Sequence, residues 1–465
     1  MQTAITRELI GLLPLVFDRT KDTSGVGFIS EKGATPLFSD LFNQHQHIAI
    51  LGTTGSGKSV LSAEYVTFAL AHGFDVIIVD STRGDGSGTF DAYTDFLGGA
   101  YYNTIKESNN LFETPDLRGL PESEREEKFG LFKDLLRSGL MMLVLDKDAD
   151  RSLVRTFRSI INLTLSAFFK DPEISQRYNA AHDGGFGSQA WSQMPTLRDY
   201  LRFVAPEGLN FTITLEIKRA IQTIRMELES CLESQLGRAI SSASTFRTDA
   251  KLVVYALCNL DDEQDAAPLA LSAYAAALRR SLTSPKSLWF IDESSFLLGF
   301  DSFAEIVGAI FAKGRKAGIR AMFSAQDISS IKSCKTSKQI LDNTSTYLIG
   351  RIKSSAIDDF ESALKIPRAV IRKNTVDSFA SHESEFATPW LLARGDSYIF
   401  GKYYPSLEQL ALLVNNPDQV AMREKFWSQY PNKYQATVEF AKYLASAKLD
   451  NSSPQNAVLS SHQAS

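Results

Sequence analysis

The chain has 465 residues, of which 44% are hydrophobic and 22% are charged, and its net charge is -5 at pH 7. At about 150 residues per folding unit, this length accommodates two or three units with a large buried core. The composition argues against a disordered or fibrous chain, and the acidic balance excludes a general electrostatic attraction to nucleic acid.

The amino-terminal part predicts a strand, a loop, a helix and a second strand. Residues 25–38 are typical of two short strands around a Glu-Lys-Gly turn, and residues 47–51 (HIAIL) of a buried strand. A helix closed by Gly73 follows, and residues 75–80 (DVIIVD) predict the next buried strand. This order is that of a parallel βαβ unit.

In the middle of the chain the sequence pattern changes to that of consecutive helices and then returns to alternating strands and helices. Residues 121–245 carry long 3.6-residue periodicity and predict an all-helical insertion. Further strands are predicted at 251–260, 287–293, 319–327 and 346–352. We therefore expect one α/β domain formed by residues 1–120 and 246–430, interrupted by the insertion and followed at 431–465 by a helix and a disordered tail.

A glycine-rich loop follows the strand at 47–51 and precedes the helix. Gly52, Gly57, Lys58 and Ser59 match the pattern G-x-x-x-x-G-K-[ST] in the context that a phosphate loop requires. The residues predicted to contact the nucleotide are Gly52, Thr53, Thr54, Gly55, Ser56, Gly57, Lys58, Ser59 and Val60. We expect the glycines to expose N–H groups to phosphate, Lys58 to reach the β- and γ-phosphates, and Ser59 to join a Mg²⁺ shell.

Two further strand ends supply side chains for ATP hydrolysis. Asp292 and Glu293 end the apolar stretch SLWFIDE, where we expect Asp292 to hold Mg²⁺ through water and Glu293 to polarise the attacking water. An Asp-Glu pair in this position is also compatible with a helix N-cap and a first-turn acid. Gln326 ends a neighbouring strand and is expected to sense the γ-phosphate, the alternative being a polar residue that only terminates the strand.

Several arginines have more than one interpretation. Arg315 and Arg351 are candidates for an arginine finger offered to a neighbouring subunit, although Arg315 is equally compatible with a solvated helix end. Arg151, Arg155 and Arg158 share one helical face that is either solvated or able to touch a nucleic-acid backbone.

Taken in order, these motifs resemble the TraC-like ATPases of conjugation and type IV secretion systems. The resemblance rests on HIAILGTTGSGKSV, SLWFIDESSFLL, KGRKAGIRAMFSAQDISSI and ILDNTSTYLIGRI, and it extends over about residues 20–415. It implies a RecA-like P-loop NTPase fold, Mg²⁺-dependent ATP hydrolysis, and the roles given above to Lys58, Ser59, Asp292, Glu293 and Gln326. It also implies Arg315 and Arg351 as the late arginines.

The resemblance also carries expectations about assembly. It implies a homo-hexamer or larger ring that is cytoplasmic and peripheral to the inner membrane, docks on secretion components, and drives pilus biogenesis or substrate transfer. Three scattered cysteines fit a reducing compartment, and no apolar run is long enough to span a bilayer. Since typical members carry a large amino-terminal domain before the motor, this chain is expected to lack that docking half.

A second function shares the same catalytic residues. A HerA- or FtsK-like ring motor, or the related coupling protein, would translocate DNA directly through its pore. Such a pump requires several basic side chains whose binding weakens steeply with salt. The acidic net charge favours the secretion motor, and DNA contact is left open.

Overall fold

The computed structural model describes residues 18, 20–42, 47–81, 88–103, 107–145, 149–208, 213–245, 250–257, 263–293, 295, 297–380 and 386–451. The predicted tail at 452–465 and the end of the strand predicted at 251–260 lie outside these residues.

One sheet organises the described chain. Its strands are β1 (Val26–Ser30), β2 (Pro36–Ser39), β3 (His47–Leu51), β4 (Asp75–Ser81), β5 (Ala100–Asn103), β6 (Leu252–Leu257), β7 (Ser287–Ile291), β8 (Ile319–Ala325), β9 (Thr344–Ile349), β10 (Thr388–Arg394) and β11 (Ser397–Tyr403). They lie in the order β2-β1-β11-β10-β9-β3-β8-β7-β4-β6-β5. The section from β9 to β5 is parallel, and the section from β2 to β10 is antiparallel and joins β9 through β10.

The composition of the strands explains this division. β3, β6, β7 and β8 are buried along their whole length, as expected for parallel strands covered on both faces. β1 alternates buried and exposed residues, which is typical of an antiparallel strand with one solvated face. The fold is therefore α/β with a mainly parallel sheet, as the sequence predicted.

The helices cover both faces of the sheet. Before the insertion they are α1 (Lys58–Ala71) and α2 (Asp91–Phe96). Between β5 and β6 the described helices are α3 (Glu122–Val144), α4 (Arg151–Lys170), α5 (Pro172–Gly184), α6 (Gln189–Ser192), α7 (Leu197–Tyr200), α8 (Leu215–Glu233) and α9 (Gln235–Ile240). They continue with α10 (Glu263–Thr283), α11 (Asp301–Lys313), α12 (Ser329–Ser333), α13 (Ser337–Asn343), α14 (Ile357–Leu364), α15 (Arg368–Ile371), α16 (Leu407–Leu412), α17 (Pro417–Gln429) and α18 (Lys433–Asn451). Within the part of the chain so described, no helix is long and apolar enough to cross a membrane.

Two hydrophobic cores lie on opposite faces of the sheet. In β3, Ala49 and Leu51 face the core that also contains helices α3 to α11. Ile48 and Ile50 face the other core, which contains α1. The helices between β5 and β6 therefore thicken the helical layer on one face of the sheet.

Strands β7, β8 and β9 are shorter than predicted, and β9 also starts and ends at earlier residues than predicted. β7, β8 and β9 end at Ile291, Ala325 and Ile349, before the polar residues that the sequence assigned to their ends. Those polar residues leave the sheet and turn toward the phosphate loop, at the carboxyl edge where ligands bind in open α/β sheets.

Candidate nucleotide-binding site

The phosphate loop connects β3 to α1 and is held by both strands that flank β3. The Gly52 N–H donates to the Ala325 carbonyl (3.1 Å), and the Thr53 N–H donates to the Arg351 carbonyl (2.8 Å). Because β8 and β9 are the neighbours of β3, these bonds tie the start of the loop to the ends of both strands.

Left-handed backbone at two glycines shapes the loop. Gly55 has φ +79° and Gly57, which caps the start of α1, has φ +87°. At Gly57 an added Cβ would lie 2.7 Å from the Thr388 methyl carbon on β10, whereas at Gly55 it would meet nothing within 4 Å. Glycine is therefore required at residue 57 for its conformation and also for the close approach of β10.

Lys58 lies buried at the start of α1. Its ammonium donates to the carbonyl oxygens of Gly52 (2.9 Å) and Thr53 (3.4 Å), across the mouth of the loop. Burial lowers the pKa of Lys58, and the neighbouring carboxylates of Glu293 and Asp292 oppose this effect. The two parts of the site predicted from separate motifs are thus electrostatic neighbours.

The acidic pair follows β7 directly. The Asp292 N–H donates to the Val79 carbonyl on β4 (2.9 Å), and the buried Asp292 carboxylate accepts a hydrogen bond from the Ser324 hydroxyl on β8. Burial raises the pKa of Asp292, and the Glu293 charge raises it further while Ser324 and Lys58 lower it. A positive group at this site would therefore stabilise the ionised carboxylate.

Glu293 is held at its backbone by Ser324 of β8 and at its side chain by Gln326, which follows β8. Its backbone has φ +51°, which is unusual for a residue other than glycine, and its N–H donates to the Ser324 hydroxyl (3.2 Å). Its carboxylate accepts from the Gln326 side-chain amide (3.0 Å). The structure therefore brings Lys58, Asp292, Glu293 and Gln326 together.

Ser59 and Val60 complete the first turn of α1, where both are partly buried. The Val60 carbonyl accepts from the Gln409 amide of α16 (2.9 Å), which links the start of α1 to the C-terminal helices. Thr54 and Gly55 are exposed, at the open side of the loop.

The two candidate arginines lie in different places. Arg351 follows β9, borders a cavity of about 550 Å³ between the phosphate loop and residues 351–354, and pairs with Asp377 (2.8 Å). Arg315 precedes β8. Burial is the largest effect that lowers the pKa of His47, at the start of β3, and the charges of Arg320 and Arg315 lower it further. Since β8 spans about 20 Å, the Arg315 backbone lies at the far edge of the sheet from the phosphate loop.

A third carboxylate was missed in the sequence. Asp80 lies on β4 next to the Asp292 position, is fully buried, and faces backbone N–H groups of Thr89 and Phe90. Burial raises its pKa, and the Asp292 charge raises it further. The available signal was an acid near the end of an apolar strand, the same signal that identified Asp292.

Comparisons with known proteins give one family match and several structural likenesses. Residues 26–85 match the family described as helicase HerA, central domain, and no curated protein matches the chain by sequence. The structure is similar to VirB4 of Thermoanaerobacter pseudethanolicus, with a TM-score of 0.60, 14% identity, and coverage of 85% of this chain and 100% of that one.

Weaker likenesses are found to the bacterial conjugative coupling protein TrwB. One TrwB structure has a TM-score of 0.49 at 16% identity and covers 83% of this chain and 89% of that one. A complex of TrwB with ADP and Mg²⁺ has a TM-score of 0.48 at 16% identity, with coverage of 83% and 90%. At 14% identity, the likeness to VirB4 concerns the fold. The resemblance to conjugation and type IV secretion ATPases is therefore confirmed at the level of the fold, which this chain shares with VirB4.

Proposed function

We propose that this chain is the ATP-hydrolysing motor of a type IV secretion or conjugation apparatus, powering pilus biogenesis or substrate transfer. The observation that carries the proposal is the convergence of Lys58, Asp292, Glu293 and Gln326 on one phosphate loop. A loop that only bound phosphate would not need a carboxylate held by an amide beside a buried, partly desolvated lysine.

The residues present fit ATP with Mg²⁺. The left-handed glycines and the start of α1 direct backbone N–H groups toward bound phosphate, and Lys58 adds a positive charge. The Ser59 hydroxyl and the buried Asp292 carboxylate supply oxygen atoms of the kind Mg²⁺ prefers, and these two residues would hold the ion. When bound, Mg²⁺ neutralises charge that develops on the phosphates.

Each side chain has a distinct proposed role in hydrolysis. Glu293 accepts a proton from the attacking water, and Gln326, which already contacts the Glu293 carboxylate, orients that water beside the γ-phosphate. Arg351 lies beside the loop and acts on the nucleotide of its own subunit. Arg315, on the opposite edge of the sheet, is proposed to serve a neighbouring subunit.

The test compares ATP turnover by the wild type with turnover by Lys58→Ala and Glu293→Gln. We expect both variants to lose hydrolysis, and Glu293→Gln to keep nucleotide binding because the amide has nearly the shape of the carboxylate. A wild type that hydrolyses ATP no faster than these two variants would remove the proposed enzyme activity.

The proposal extends to assembly and location. We propose a homo-hexamer that docks from the cytoplasmic side on inner-membrane components of the apparatus. Arg315 lies at the amino edge of the sheet, so a nucleotide that it contacted would belong to a neighbouring subunit. Specific ATPase activity should then rise with protein concentration, and a concentration-independent rate would argue for a motor that works as a monomer.

A DNA-translocating motor is the second candidate, favoured by the match of residues 26–85 to the HerA central domain. The helical face with Arg151, Arg155 and Arg158 gives this candidate little support, because the charge of Arg158 is already paired with Glu305 of α11 (2.7 Å). Measuring ATP turnover with and without double-stranded DNA separates the two candidates. Stimulation that falls steeply with salt would favour translocation, and indifference to DNA would favour the secretion motor.

A further inference from the structure

The Ser324 hydroxyl contacts both members of the acidic pair. Ser324 lies on β8, two residues before Gln326, and is fully buried. Its hydroxyl donates to Asp292 Oδ1 and accepts the Glu293 backbone N–H at 3.2 Å. One side chain therefore links the proposed metal ligand to the backbone of the proposed general base.

We propose that Ser324 is a positioning residue of the ATPase site, which orients the Asp292 carboxylate toward Mg²⁺ and holds Glu293 in its left-handed conformation. This inference rests on the proposed function, since it assigns Ser324 a part in the same site.

The Asp292 carboxylate is one of the two groups that Ser324 contacts. A carboxylate shielded from water needs hydrogen-bond donors to remain in one orientation, and a hydroxyl on the adjacent strand is such a donor. Groups that hydrogen-bond to a metal ligand set its direction, and their loss typically weakens metal affinity or activity about 10- to 100-fold.

The Glu293 backbone is the other group that Ser324 contacts. A left-handed backbone at this non-glycine residue is strained and persists only where its surroundings determine it. Ser324 binds the Glu293 N–H while Gln326 binds its carboxylate, so a residue of β8 holds the backbone and a residue just after β8 holds the side chain. Without Ser324, we expect the Glu293 carboxylate to sample positions away from the attacking water.

Ser287 provides a matched control. It is a fully buried serine on the adjacent strand β7, at the strand end opposite the acidic pair, and its hydroxyl makes no hydrogen bond among the described residues. Ser287→Ala therefore removes a buried hydroxyl at no cost to the site, and Ser324→Thr keeps the hydroxyl that Ser324→Ala removes.

The experiment measures binding of a fluorescent ADP at increasing Mg²⁺, together with ATP turnover and thermal midpoint. For Ser324→Ala we expect the Mg²⁺ concentration at half-maximal binding to rise about tenfold or more and turnover to fall about 10- to 100-fold. Binding measured in EDTA should match that of the wild type. Ser324→Thr should restore both quantities, and Ser287→Ala should change neither.

The outcomes separate this inference from the function on which it rests. If Ser324→Ala keeps the Mg²⁺ dependence and turnover of the wild type, or changes only as Ser287→Ala does, the positioning role is overturned. If the wild type binds nucleotide with Mg²⁺ but never hydrolyses ATP, the enzyme proposal fails, and the Mg²⁺ titration still decides the effect of Ser324 on Asp292. A Ser324→Thr variant that fails to fold leaves the comparison of Ser324→Ala with Ser287→Ala decisive.

Discussion

Replacing Gly57 by alanine tests whether β10 limits the space available to the phosphate loop. Gly55→Ala is the matched change, because both glycines have left-handed backbone but only the Gly57 Cβ would overlap an atom, the Thr388 methyl carbon at 2.7 Å. A left-handed alanine costs about 1–2 kcal/mol, which applies to both variants. Overlap in a packed region adds about 1–3 kcal/mol, which applies to Gly57→Ala alone.

The Thr388→Ser background isolates the overlap. It removes only the methyl carbon and keeps the hydroxyl that accepts the Trp390 indole N–H (2.8 Å). The next atom that the Gly57 Cβ would meet is then the Cβ of residue 388, at 3.3 Å. We therefore expect Gly57→Ala to cost less in this background, with a coupling of about 1–2 kcal/mol in the double-mutant cycle.

Urea unfolding of the four proteins in the cycle, with Gly55→Ala alongside, measures these free energies without nucleotide. Binding of a fluorescent ADP then reports the consequence for the site, and we expect Gly57→Ala to lose more affinity than Gly55→Ala. The reasoning is refuted if the two glycine variants are equally destabilised, or if Gly57→Ala and Thr388→Ser combine additively within about 0.5 kcal/mol.

Three further outcomes follow from the site. Glu293→Gln should lower ATP turnover by about 10²–10⁴-fold with nucleotide affinity retained, and a parallel loss of affinity would contradict its role as base. Burial and the Asp292 charge raise the pKa of Asp80 from 3.8 to about 8, so between these pH values Asp80 is protonated in the folded protein and ionised in the unfolded one. The unfolding free energy of the metal-free wild type should therefore fall relative to that of Asp80→Asn as the pH rises through this range. If urea unfolding gives the same difference in free energy between the two proteins at every pH, the raised pKa of Asp80 is refuted. Arg351→Ala should weaken nucleotide binding by the isolated subunit, whereas Arg315→Ala should not. Equal effects in a binding titration would refute the separate roles proposed for the two arginines.

Some of the fold could be predicted because its signals are local. The phosphate loop after a buried strand, and the long apolar runs of β4, β7 and β8, are typical of a parallel sheet covered by helices. The short and partly exposed β5 was not predicted, and neither was the β10–β11 hairpin, whose first strand contains Pro389. Proline and partial exposure weaken the strand pattern, and these segments become strands only through their neighbours in the sheet.

The site residues that belong to motifs could also be recognised from local sequence, but their roles remain predictions. What only the tertiary structure decided is which side chains become neighbours. Asp80 and Ser324 join Asp292 because β4, β7 and β8 lie side by side, and Thr388 reaches Gly57 because β10 extends the sheet beyond β9. The sequence by itself determined the glycine-rich loop and its lysine, from which phosphate binding is predicted, since residue types at one local spacing carry that signal. The order of the strands determined the support around that chemistry, because contacts between residues far apart in the chain leave no local pattern to read.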